Sequence, residues 1–562
     1  MRRLVRHDLT AAIRVRPADA AWAFALRAGL AILVPLAVLV LSGHTSSAPF
    51  ATFGAFAALY GRDEPYGRRA VLVGASGLAL VASVLIGGLA ALASPVAGVF
   101  AVAVVGGAGS LLCNRYHVGP PAGLMFAFAT AVCSALPTSL RDLPLHAGLA
   151  AGSALVAWLI VMSGALVTPD APRRLAVARA LRAAAALHEA PDGPAALRAR
   201  QQAALAVERA WRAVDTRRPP EPDPGQVPLE VLVAHAETEL SGVHGHSAEA
   251  AAELRELAGR LARRGAAPRL APTPIERATI SERHLALGLF RDRPRSRHGP
   301  LWPAAARVAL GALVAGAAAG LLTHFTGLGH PYWAAVSAVA VLQATSLRLS
   351  RQRALQRAAG TVAGLLIAGG AVAIPGGPWV LVAEIVVAQV IAELLVIRNY
   401  GLAMLAVTPL ALLVGELGRK SPPLDLIGDR LVQTVLGCVL GLAAAALVTN
   451  RAATRHLTAA ITHVEDATAV ITSATAAITD VEDATAAPGE PRRLALLVAT
   501  MREAYEVAAG EPGLAEETVD RVLRAEREAR AALVELSQGR VPATGQRVRG
   551  RENRRPETRE RR

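Results

Sequence analysis

The sequence predicts an all-α membrane protein built as two tandem, parallel six-helix transmembrane bundles, each followed by a cytosolic helical region. Three observations carry that reading. The 562-residue chain is 53% hydrophobic but only 4% aromatic, with a mean hydropathy of +0.38; long apolar stretches explain a balance that soluble chains rarely reach. Those stretches fall in two blocks, and more polar sequence rich in Ala, Leu, Arg and Glu follows each block. The blocks also look like copies. "LRAGLAILV" (26–34) resembles "ARVALGALV" (306–314), "APFATFGAFAALYGR" (48–62) resembles "HPYWAAVSAVAVLQA" (330–344), and "RYHVG" (115–119) resembles "RNYG" (398–401). An even number of helices per copy gives halves related by an axis along the membrane normal.

The elements follow in order. Residues 1–20 form a basic cytosolic N-terminus; its first 16 residues hold five Arg and one Asp, and no small-residue cleavage site closes a short apolar core behind them. Residues 21–167 form the first bundle, with helices expected near 21–42, 49–60, 70–91, 95–112, 119–137 and 145–166. Residues 168–299 are a cytosolic helical region: 173–217 and 247–265 read as soluble helix, and "RRPPEPDPG" (217–225) reads as a linker or turn. Residues 300–450 form the second bundle, with helices expected near 301–322, 331–346, 358–374, 378–397, 400–418 and 428–449. Several of these fall short of the ~20 residues that a straight span requires. Residues 451–562 are a second cytosolic helical region. They repeat "VEDATA" at 464–469 and 481–486, continue as a packing helix near 516–536 and end in a disordered basic tail.

Charge orients the chain. The loops expected inside contain Arg62, Arg68, Arg69, Arg115, Arg348, Arg351, Arg353, Arg357 and Arg398; those expected outside contain only Arg141, Arg419 and Lys420. The positive-inside bias therefore places both termini in the cytoplasm of a multi-pass plasma-membrane protein. The net charge is +15, and residues 540–562 alone hold nine Arg against three Glu. That tail suits anionic lipid headgroups better than nucleic acid, which is not an expected partner. The three cysteines, Cys113, Cys133 and Cys438, lie in or at the ends of apolar runs, which argues against a disulfide framework. The sequence contains no phosphate loop, metal-ligand cluster or hydrolase motif, so no enzyme activity, cofactor or metal is expected.

Polar residues inside the second block are the candidates for a pathway. Glu384, Gln389 and Glu393 lie on one apolar run, "VLVAEIVVAQVIAELLVI". A carboxylate in hydrocarbon costs several kcal/mol, so such residues face a cavity or a partner. Gln389 and Glu393 share a helix face, and Glu384 sits about 180° from Glu393. The alternatives are proton coupling and a structural pair with Arg307 or Arg430; Gln343 joins these pathway candidates. Arg27 and Arg307 have two readings, binding an anionic substrate or snorkelling to the interface. Arg353, Arg357, Gly360 and Gly364 follow one helical stripe, with Gly360, Thr361 and Gly364 as packing positions. The two arginines mark either an anion-collecting mouth or a headgroup contact. His44, His324 and His330 read as solvated, and Tyr332 with Trp333 as an interfacial anchor.

The layout "HPYWAAVSAVAVLQATS…RQRALQRAAGTVAG" resembles the fusaric acid resistance (FUSC-type) family of integral membrane transporters. The matching positions are Tyr332, Trp333, Arg353, Arg357, Gly360, Thr361 and Gly364. The first block departs from the pattern, with Phe50 and Ala51 in place of the Tyr-Trp pair. The resemblance implies export of aromatic carboxylic acids and similar small organic anions, and a relation to plant malate channels. A proton-driven exporter, a passive anion channel and a membrane scaffold with partner-binding cytosolic helices remain open, as does oligomerisation.

Overall fold

A computed structural model of the chain describes residues 22–116, 118–191, 194–214, 227–240, 247–263, 267–274, 302–343, 347–374, 376–418, 423–448, 451–478 and 514–539, with isolated positions in 276–280 and 494–508. The expectations for 1–20, 217–225, the second "VEDATA" and the tail after 540 lie outside these residues. All regular secondary structure among the described residues is helical. The chain divides into two compact units, one of Met1–Ile280, Arg293–His456 and Glu506–Leu514, the other of Ser281–Asp292, Leu457–Tyr505 and Ala515–Arg562.

The first apolar block holds α1 (Trp22–Leu41), α2 (Ala48–Ala55, prolonged by a 3-10 turn Phe56–Leu59), α3 (Tyr66–Ala93), α4 (Pro95–Arg115), α5 (Leu124–Ala135) and α6 (Leu143–Met162). The polar segment that follows holds α7 (Ala171–His188), α8 (Pro194–Val214), α9 (Val227–Leu240) and α10 (Ala248–Ala262). The second block holds α11 (Trp302–Thr326), α12 (Tyr332–Leu342), α13 (Leu347–Val372), α14 (Pro378–Val396), α15 (Tyr400–Gly418) and α16 (Pro423–Leu447), followed by α17 (Arg451–Ile478) and α18 (Glu516–Gly539).

Among the described residues eight helices are long and apolar enough to cross a membrane: α1, α3, α4, α6 with its extension to Val167, α11, α13, α14 and α16. This falls short of the twelve spans expected. Of the remaining block helices, α15 is apolar over Tyr400–Gly415, α2 has 8 residues, and α5 and α12 are short as well, at 12 and 11 residues. The lengths of these last two, about 16–18 Å at 1.5 Å per residue, reach roughly half of the hydrocarbon core. Every residue of α2 is buried, and so is every residue of α12 after Tyr332. α2 and α12 are therefore enclosed by protein, where partial depth leaves no lipid-exposed helix end.

The long helices show the residue pattern of lipid-facing elements. On α3 the exposed large residues are Val71, Leu78, Ile86, Leu89 and Leu92, while Ser76, Gly77, Ser83, Gly87 and Gly88 face inward. Lipid is as apolar as a leucine core, so small residues and close backbone approach take over the packing role. A Cβ at Gly87 would meet Thr130 O at 2.6 Å, and one at Gly107 would meet Ala309 Cβ at 2.9 Å.

Three boundaries differ from expectation in an informative way. α13 begins at Leu347, not near 358, so the arginines at 348–357 sit on its first turns rather than in a loop. Hydropathy marks only the apolar part of a helix, whereas Leu, Arg, Gln and Ala are all strong helix formers. The segment 173–217 splits into α7 and α8, with Pro191 after the end of α7 and Pro194 opening α8. α16 begins at Pro423, five residues before its expected start.

Contacts join the two blocks through matching elements. α1 packs on α14 and α4 on α11, α2 meets α15, and α5 meets α12. Within the blocks, α3–α5, α4–α5, α2–α6 and α3–α6 recur as α13–α15, α14–α15, α12–α16 and α13–α16. α7 to α10 pack on one another around Val177, Leu181, Trp211, Leu232 and Leu254. There the Trp211 indole donates to Glu237 at 2.6 Å, and His188 meets Glu239 at 2.9 Å. In the second unit, Leu457, Ile461 and Val464 of α17 and Val522, Ala525 and Ala529 of α18 are buried. Arg521 of α18 donates to Glu465 of α17 at 2.8 Å.

Candidate functional site

Between the blocks lies a cavity of 3140 Å³, walled by α2 and α5 from the first block and by α12, α13, α14 and α15 from the second. One end reaches Ser46, Ser47 and the turn 326–330. The other reaches 61–65, 118–122 and 397–399, together with Arg179 of α7 and Gln202, Arg209 and Arg212 of α8. Its wall holds eight arginines (62, 68, 179, 209, 212, 353, 357 and 398) against four acidic residues (Asp63, Glu64, Glu393 and Asp429). A low-dielectric cleft with that excess of positive charge concentrates anions.

The second block supplies the most buried charges. Arg357, 4% exposed, donates from Nη1 to the Tyr400 hydroxyl at 2.9 Å. Arg353 lies 5.9 Å from the centre of the same ring. Tyr400 is held at the first turn of α15, where the Asn399 side chain caps the helix by accepting from Gly401 N at 2.7 Å and Leu402 N at 3.2 Å. Gln356 donates to the same Asn399 oxygen at 3.3 Å. Arg430 of α16, 2% exposed, lies over the Trp333 ring at 3.0 Å. Trp333 is itself buried and lines the cavity, so it is not an interfacial anchor.

Glu393 and Gln389 line the cavity from α14. Gln389 donates to Glu393 at 3.1 Å, and Arg62 of the first block lies 3.6 Å from the same carboxylate. Arg62 also donates to the Glu393 backbone carbonyl at 3.4 Å and stacks on Phe24 at 4.4 Å. Burial lowers the Arg62 pKa, and the Glu393 charge works against that shift. The partner of Glu393 is thus Arg62, not Arg307 or Arg430. At the other end, His330 meets Asp429 at 3.0 Å, so it is not simply solvated. Gln343 lines the cavity; with its amide oriented to satisfy its neighbours, it accepts from Leu124 N at 2.7 Å and donates to Pro121 O at 3.2 Å.

Three candidates lie elsewhere. Arg307 donates to Val448 O at 2.9 Å, serving an end carbonyl after α16. Arg27 packs beside Gly164 and outside the cavity wall. Glu384 is also off the wall, and its carboxylate oxygens are shielded without a hydrogen-bond partner. Gly360 and Gly364 bring α13 onto α15: a Cβ would meet Gly401 O at 2.5 Å and Met404 O at 2.8 Å respectively. Thr361 is buried beside them. The three cysteines are free and buried. Among the described residues no group of His, Cys, Asp and Glu is arranged to hold a metal ion.

Sequence reasoning missed Arg62 as a cavity residue, and Asn399, Tyr400 and His330 with Asp429. Arg62 had been counted only among loop charges, since nothing in a linear pattern pairs it with a residue 331 positions away.

A chain whose described residues hold eight apolar helices of spanning length is an integral membrane protein. Residues 314–444 match the family described as fusaric acid resistance protein-like. The chain is also similar to an "Uncharacterized membrane protein YvaC" of Bacillus subtilis (strain 168), 26% identical over 485 residues that cover 79% of this chain and 75% of that protein. No solved structure matches the chain.

Proposed function

We propose that the protein is a multi-pass plasma-membrane transporter that moves small organic carboxylates, aromatic ones included, through the cavity between its two blocks. The observation that carries this reading is the excess of arginine, eight against four acidic residues, in the wall of a cavity that touches both the turn 326–330 and the loop 61–65. Arg353 and Arg357 both line it beside Tyr400, the first near the ring and the second bonded to its hydroxyl. Guanidinium groups bind carboxylates bidentately, and the neighbouring Tyr400, Trp333 and Phe128 rings line the same space.

The recurring element contacts support a duplicated architecture of two parallel six-helix bundles, with the short elements shielded in the interior. In this reading 168–299 and 451–562 face the cytoplasm, where α7 and α8 add Arg179, Arg209 and Arg212 to the entrance. The basic tail lies against anionic headgroups.

Arg353→Gln with Arg357→Gln tests the reading in liposomes loaded with benzoate. The double variant raises the apparent KM at least tenfold while protein level is kept. Wild-type kinetics in the double variant remove these arginines from the pathway. A passive channel is the second reading, favoured because the cavity touches loops at both ends. Flux that follows voltage alone supports the channel, and flux that requires a pH gradient supports coupled export.

A further inference from the structure

Arg357 and Arg430 raise a problem that carboxylate transport alone does not solve. Both guanidinium groups are enclosed, at 4% and 2% exposure. An ionised group taken out of water costs several kcal/mol unless paired and hydrogen-bonded. Yet Arg357 Nε, Arg430 Nε and Arg430 Nη1 have no hydrogen-bond partner. Neither residue pairs with a carboxylate among the described residues, and Asp429, next to Arg430 in sequence, is engaged by His330. The Trp333 face and the Tyr400 hydroxyl leave two like charges in one interior.

The same three helices carry further polar atoms in the same condition. The hydroxyls of Thr361, Thr434 and Ser337 are buried and unpartnered. Thr361 follows Arg357 by one turn on α13, and Thr434 follows Arg430 by one turn on α16. Ser337 of α12 sits where α16 comes closest, its Cβ 2.8 Å from the Cβ position of Gly437. Guanidinium N–H groups and hydroxyls are all able to donate, so the set matches a small ion that only accepts hydrogen bonds. Arg430 does not line the cavity, whereas Arg357 and Trp333, the ring stacked upon Arg430, do.

We propose that α12, α13 and α16 hold a small inorganic anion of the halide class between Arg357 and Arg430, behind Trp333, as a resident counter-ion. It is distinct from the carboxylate that moves through the cavity, whose wall Arg357 and Trp333 both line. Enclosure selects for size: a monatomic anion carries no substituent past the indole, and a benzoate does.

The test uses the purified full chain in detergent and needs no transport measurement, so its failure and the failure of the transport reading are told apart. Crystals grown in sodium bromide are expected to show an anomalous peak within hydrogen-bonding reach of Arg357 Nε and Arg430 Nη1. Replacing gluconate by chloride or bromide raises the unfolding midpoint saturably, by at least about 2 °C. Arg430→Gln abolishes that rise; if this variant does not fold, Ser337→Ala with Thr434→Val weakens halide affinity several-fold instead. A midpoint that ignores halide, or a structure in bromide with no peak there, overturns the proposal. So does stabilisation by benzoate with none by chloride, which assigns both arginines to the transported carboxylate.

Discussion

Arg62 and Glu393 form an ion pair between the two blocks, at 17% and 12% side-chain exposure. A partly buried pair contributes little net stability when intact, but removing one member leaves an uncompensated charge in a poor solvent for it. Arg62→Gln is therefore expected to destabilise the protein by about 1–3 kcal/mol, and Arg62→Gln with Glu393→Gln by less than the sum of the single changes. Additive effects in a double-mutant cycle would show that the pair is not coupled. The same carboxylate carries the coupling hypothesis, because it lines the cavity while Glu384 does not. Glu393→Gln is expected to flatten the pH dependence of efflux and Glu384→Gln to leave it unchanged. Wild-type pH profiles in both variants would make the two glutamates structural.

At the scale of elements, α13 shows how one helix combines two jobs. Its first turns carry Arg348, Arg351, Arg353 and Arg357, and its middle carries Gly360 and Gly364 against α15. The close approach at the glycines brings the Arg357 guanidinium within reach of Tyr400 on the same neighbour. Gly364→Leu forces bulk onto the Met404 carbonyl and Thr408, an overpacking that costs about 1–3 kcal/mol or more. A lower unfolding midpoint and loss of monodispersity on size-exclusion chromatography are expected. Gly370→Leu, on the same helix, meets no atom within 4 Å of its Cβ position and is the matched control. Equal behaviour of the two variants would remove the packing role of Gly364.

At the scale of the whole molecule, the blocks pack on each other through long helices, α4 on α11 and α1 on α14. Gly107 and Ala309 mark one such crossing, with a Cβ separation of 2.9 Å. Gly107→Cys with Ala309→Cys is expected to cross-link on mild oxidation, so that the halves stay together after proteolytic cleavage between 217 and 225. Halves that separate on a denaturing gel would refute the crossing. The proposed orientation is tested by a reporter fused after Thr168, expected to be active only in the cytoplasm.

The sequence by itself determined the class of molecule, because hydrophobicity is additive along the chain: the apolar runs mark α1, α4, α11 and α14 to within a few residues. It also located Arg353, Arg357, Gln389 and Glu393, because a polar group inside an apolar run is conspicuous in one dimension. Only the tertiary structure decided which of them share a cavity, and that Glu393 answers to Arg62 rather than to Arg307 or Arg430. It alone set α2, α5 and α12 apart from the long spans, since a short apolar helix reads the same whether lipid or protein surrounds it. The burial of Arg430 beneath Trp333 was equally hidden, because α12 and α16 meet only once the chain between them has folded. Periodicity reports which face of a helix is apolar, but the identity of the neighbour is set by packing between segments hundreds of residues apart.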